Sequence, residues 1–140
     1  MSVRTQNLEG VGAVYATFDI HQTGGVDDLT DNDIGKAVSM TSSYECGFGS
    51  DGAILLGKLA AISPADGVNG ERKATVQVSG IAALPIVETY PTGGNRVVVD
   101  GSGSIKQAPS LVSNDPAGGN VARGTIIAVN GTTSATLILN

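Results

Sequence analysis

Short apolar runs, each closed by Gly, Pro, Asn or Asp, recur along the whole chain, and no stretch of a dozen residues keeps an uninterrupted helical period. The runs that predict strands are Ala13 to Asp19, Ala37 to Thr41, Ala53 to Ile62, Ala74 to Ile81, Arg96 to Val99, Gly103 to Gln107, Thr125 to Val129 and Ser134 to Leu139. Asn130-Gly131 between the last two reads as a tight hairpin turn, and Gly101-Ser-Gly103 reads as another between Val97 to Asp100 and Ser104 to Gln107. In Ala74 to Val78 the valines alternate with Thr75 and Gln77, which predicts one buried and one wet face. Leu56 to Ile62 followed by Ala74 to Val78 parallels Arg123 to Val129 followed by Ala135 to Leu139. Either two similar β units build the fold or short apolar runs resemble each other by chance. The pattern predicts an all-β chain, a single compact β-barrel or β-sandwich of short antiparallel strands, with a flexible N-terminal arm over residues 1–10 and one domain over residues 11–140. The acidic stretch Val26 to Asp33 and the segment Ala108 to Val121 lie outside the strand frame.

Composition narrows the partners. The chain has 140 residues, 20 of them Gly, with 15% charged and 4% aromatic residues and a net charge of −5. That length suits one domain. Eight scattered Lys and Arg offer no basic stripe for a phosphate backbone, so nucleic acid is not expected as a partner. The longest apolar stretch, Ala53 to Ile62, contains Lys58 and is half the length of a membrane span, so no membrane is expected either. Met1 to Gly10 lacks the blocks of a signal peptide, which predicts a soluble protein made in the cytoplasm. A lone Cys46 allows no internal disulfide, and no neighbouring cation activates it.

Candidate chemistry is sparse. His21 is the sole histidine, and it reads as a loop residue at a strand exit. Ser50 has Gly52 after it but Phe48 where a nucleophile elbow needs its first glycine. Asp27, Asp28, Asp31 and Asp33 form a weak acidic cluster that could attract a hard cation, but its spacing does not fit the calcium loop. It reads better as a solvated acidic turn, or as caps for a short helical turn before Ile34. Gly101 to Ser104 lacks the Lys that ends a phosphate loop, and Asn130-Gly-Thr132 is a sequon without a secretion signal. No catalytic residue, metal or cofactor is expected, and an unrecognised hydrolase built on His21 is a minor alternative.

The order Gly35 to Val38, Ala53 to Gly57, Ala74 to Ile81, Gly94 to Gly101 and Gly124 to Leu139 resembles the small capsid cement, or decoration, proteins of tailed bacteriophages and prophages. The resemblance covers residues 35–139 as a cement-like core and rests on strand order and texture, with residues 11–34 as an extension. It implies a structural virion protein on the outer capsid surface, made in the host cytoplasm, bound to the major capsid protein and self-associating as a homotrimer. The N-terminal residues Ser2, Val3, Arg4, Thr5, Gln6, Asn7 and Leu8 are the candidate capsid or subunit contacts, acting as a strand added to a neighbour's sheet. The alternative is a carbohydrate- or surface-binding β module of a phage particle, although the chain offers no Trp and only Tyr15, Tyr44 and Tyr90 as stacking platforms.

Overall fold

The computed structural model describes residues 8–64, 71–109 and 122–140. Its strands are β1 (Val14–Ile20), β2 (Gln22–Thr23), β3 (Val26–Asp27), β4 (Ala37–Ser42), β5 (Glu45–Gly47), β6 (Gly57–Ile62), β7 (Lys73–Pro85), β8 (Val97–Val99), β9 (Ile105–Gln107), β10 (Thr125–Asn130) and β11 (Ser134–Leu139). One 3-10 turn, Asp31–Asp33, interrupts them. The chain is all-β, and five strands close a barrel in the order β1, β5, β4, β6, β7 and back to β1. Two more, β11 and β10, continue the sheet beyond β7 as an open wing.

β7 serves both parts. Ala74, Val76, Ala82 and Leu84 are buried on one of its faces. Its first half pairs with β1 and β6, and its second half pairs with β11. The joint is Gly80, at φ +94°, where an added Cβ would lie 2.6 Å from the Gly12 carbonyl carbon. Only glycine allows this backbone angle and this close crossing together. The apolar residues accordingly divide into two cores. Ile20, Leu29, Val38, Cys46, Leu59, Ala74 and Val76 fill the barrel. Leu84, Val97, Val99, Ile105, Ile126 and Leu137, with their neighbours, are buried between the wing and the β8–β9 hairpin.

The internal echo is structural. Within β6–β7 the register pairs Lys58 with Gln77, Leu59 with Val76, Ala61 with Thr75 and Ile62 with Ala74. Within β10–β11 it pairs Thr125 with Ile138, Ile126 with Leu137, Ala128 with Thr136 and Val129 with Ala135. These are the same positions in the aligned repeats, and each pair carries its bulge at the same place, before Ala61 and before Ala128. The glycine preceding each strand also repeats. A Cβ on Gly57 would lie 1.9 Å from the Gln77 carbonyl oxygen, and one on Gly124 would lie 3.3 Å from the equivalent oxygen of Ile138.

Several expectations need revision. The barrel is antiparallel except at β1 and β5, which run parallel. Residues 53–56 are not strand, because the chain there passes from one core to the other: Leu55 is buried in the wing core and Leu56 packs against the barrel core. Gln77 is buried, although its position on the outer face opposite Tyr15 and Lys58 predicts a wet side chain. The segment entering β1 covers it, since Gly10 N–H donates to the Ile81 carbonyl, Ile81 N–H donates to the Val11 carbonyl and Glu9 pairs with Lys58. Gln77 Nε2 then donates to the Ser79 and Ile81 carbonyls, both at 3.1 Å. Residues 8–10 of the expected arm are thus tied to the body, and β1, within the expected extension, is a barrel wall.

Candidate interaction surfaces

The acidic segment does not converge on a point. Asp27 accepts from Gln22 Nε2 at 2.8 Å, Asp28 from His21 Nδ1 at 2.6 Å, and Asp31 from Arg72 Nη2 at 2.7 Å. Asp33 closes a capping box, taking the Thr30 N–H at 2.8 Å, and also receives Lys36 Nζ at 2.9 Å. Burial raises the Asp33 pKa, and the hydrogen bonds and charge of Lys36 and Thr30 outweigh it, so the net shift is downward. The solvated acidic turn is therefore half right: Asp31 is exposed, whereas Asp33 is buried and caps the 3-10 turn. No group of three His, Cys, Asp or Glu side chains among the described residues could hold a metal ion.

His21 lies between β1 and β2, half-exposed. Its hydrogen bond to Asp28, aided by the charges of Asp28 and Glu45 and opposed by slight burial, holds the imidazole pKa above its ordinary value. The same bond holds the Asp28 carboxyl below its ordinary value. His21, Asp28 and Ser50 line one cavity of about 440 Å³, but no hydrogen bond joins the ring to the Ser50 hydroxyl. Cys46 is buried in the barrel, and burial, with the charges of Glu45 and Asp19, pushes its thiol up to about 11. Such a thiol is not a nucleophile at neutral pH. Gly101 to Ser104 is the expected hairpin turn, with Asp100 Oδ1 accepting from the Ser102 and Ser104 N–H groups.

Of the expected arm contacts, Ser2, Val3, Arg4, Thr5, Gln6 and Asn7 fall outside the described residues, and Leu8 is exposed. Two surface features stand out, one at a tyrosine already among the candidate stacking platforms and one not anticipated. Tyr44, 80% exposed, tips the β4–β5 turn at φ +57°, a left-handed angle unusual for a bulky side chain. The wing carries no charge on either face, which a count of charged residues per strand would have revealed.

Arg123 joins the two parts of the molecule. Its guanidinium donates to the carbonyls of Leu55, at 3.0 Å, and of Leu56 and Val78. No carboxylate among the described residues pairs with it, and burial alone pulls its pKa below the usual guanidinium value. This is a structural clasp, aimed inward at backbone.

No family model, curated protein or solved structure matches the chain.

Proposed function

We propose that the protein is a structural virion component that binds the outside of an assembled phage capsid and stabilises it, with the major capsid protein as partner and further copies of itself beside it. The observation that carries this reading is a small β barrel whose sheet continues into an extended uncharged face, while His21, Asp27, Asp28, Asp31 and Asp33 are each engaged with a separate partner. A surface poor in Lys, Arg and Glu loses little side-chain entropy on docking, so weak contacts repeated over a lattice suffice. The strand order that resembles cement proteins supports the same reading. Mixing the purified protein with undecorated heads tests it: co-sedimentation at saturating stoichiometry is expected, and absence of any complex refutes it.

Tyr44 favours a second reading, a glycan- or surface-binding module, because an exposed ring on a protruding turn is what sugar stacking uses. Specific glycan-array hits lost in Tyr44→Ala would support that reading over the first.

A further inference from the structure

Lys36, Lys58, Arg72, Lys73 and Lys106 each hold a carboxylate. Arg123 does not: among the described residues its guanidinium meets the carbonyls of Leu55, Leu56 and Val78 and no acid. Arg96 likewise donates to a carbonyl, that of Ala122, but is exposed to solvent, whereas Arg123 is partly buried. Carbonyl dipoles orient the guanidinium without neutralising it. Of its five N–H bonds, these contacts engage three. Burial pulls its pKa down, and an incoming anion would reverse that pull.

This charge stands on the wall of an apolar cavity of about 410 Å³, lined with Arg123 by Met40, Ala53, Ile54, Leu55 and Leu56. Two of the carbonyls that Arg123 holds belong to the wall residues Leu55 and Leu56, which fixes the guanidinium against the cavity. Ser39, the other polar side chain of the lining, is already committed, its hydroxyl donating to the Ile54 carbonyl at 2.6 Å. The cavity exists because residues 53–56 cross from one core to the other. Leu55 and Leu56 turn inward to the two cores, and Ile54, 52% exposed, is left at the surface with Met40, 43% exposed.

These walls select a ligand by chemistry. The volume falls within the range of small-molecule sites, ~300–1,000 Å³. Apolar walls favour hydrocarbon, and a guanidinium takes a carboxylate through paired charge-assisted hydrogen bonds. A neutral apolar molecule leaves the Arg123 charge unanswered, and a cation is repelled by it.

We propose that this cavity, at the junction of barrel and wing, binds a small carboxylate with a short apolar tail, the carboxylate on Arg123 and the tail along Met40 and Ile54. The inference goes beyond both readings above and rests on neither. The test is calorimetric titration of the full chain with octanoate, and with 1-octanol and octylammonium as neutral and cationic molecules of the same tail length. Octanoate should bind with a Kd below about 1 mM, and the other two at least about tenfold more weakly. Ile54→Asp, at an exposed position, sets a competing carboxylate at the mouth and should weaken octanoate binding by more than about tenfold. Arg123→Gln keeps an amide donor for the backbone carbonyls and should abolish the preference for octanoate over octanol. Circular dichroism confirms that each variant is folded, and if Arg123→Gln is not, Ile54→Asp decides alone. Equal binding of the three molecules, no octanoate binding at millimolar concentration, or undiminished octanoate affinity in the folded variants overturns the proposal. None of these outcomes bears on whether the protein decorates heads.

Discussion

The barrel and the wing use the same hairpin to different ends. In the barrel, β6–β7 is closed into a ring, and its outer rows carry charge, with Lys73 paired to Asp19 and Lys58 to Glu9. In the wing, the equivalent β10–β11 hairpin keeps the register, the bulge and the leading glycine, but its outer row reads Thr125, Ile138 and Ile81 where the barrel has Lys58, Gln77 and Tyr15. Closure removes strand edges and leaves the outer face free to be polar; an open wing retains an edge and here retains an apolar face as well. One supersecondary unit can thus supply a closed wall or an open, uncharged face, depending on what flanks it.

The comparison is open to direct attack. The largest effects come from emptying each core. Leu59→Ala in the barrel and Leu137→Ala in the wing should each cost about 3 kcal/mol, read by urea unfolding. A single transition in both variants would show that the shared β7 and the Arg123 clasp make the two cores one cooperative unit; a biphasic curve in either would show that they unfold separately. The repeated glycines come next. Gly57→Ala drives a methyl into a backbone oxygen and should destabilise by about 3 kcal/mol, whereas Gly124→Ala meets mainly the Leu137 side chain at 2.8 Å, with its φ of +80° adding strain, and should cost about 2 kcal/mol. Equal or inverted costs would refute this ranking of the two close approaches.

Arg123→Met should cost about 2 kcal/mol by leaving the Leu55, Leu56 and Val78 carbonyls short of a donor, and should reduce cooperativity between barrel and wing. The smallest effect belongs to His21. Its folded pKa lies above the ordinary 6.5, so its contribution is complete below that value and is lost as pH rises through the folded pKa. Asp28, with its pKa lowered, contributes above 3.8 and loses that contribution as pH falls through its folded pKa. The melting temperature of the wild type relative to His21→Ala should therefore be highest in mildly acidic buffer and converge with it in alkaline buffer. An advantage that grows with pH would refute the assignment of the pair.

Much of the strand frame was legible because alternation and turn glycines act locally. Ser134 to Leu139 matches β11 end to end, and Thr125 to Val129 lacks only Asn130. β2, β3 and β5, of two or three residues each, are too short to display a period. β7 runs four residues beyond its expected end because Ile81 to Pro85 is pairing with β11, a partner some fifty residues later in sequence. The aspartates were visible as a cluster, but their separate allegiances to His21, Arg72 and Lys36 depend on residues brought in by the fold.

The sequence by itself determined the β class and the hairpin turns at Gly101 to Gly103 and Asn130-Gly131, and left the repeated hairpin as one of two readings, since these follow from side-chain alternation and from the angles glycine alone adopts freely. Only the tertiary structure decided which copy of the hairpin is enclosed in the ring and which stands open, because β1 closes the barrel against the first half of β7 while β11 claims the second. That division turns on the crossing at Gly80 and on the long-range clasp of Arg123, contacts between residues far apart in the chain that no local pattern encodes.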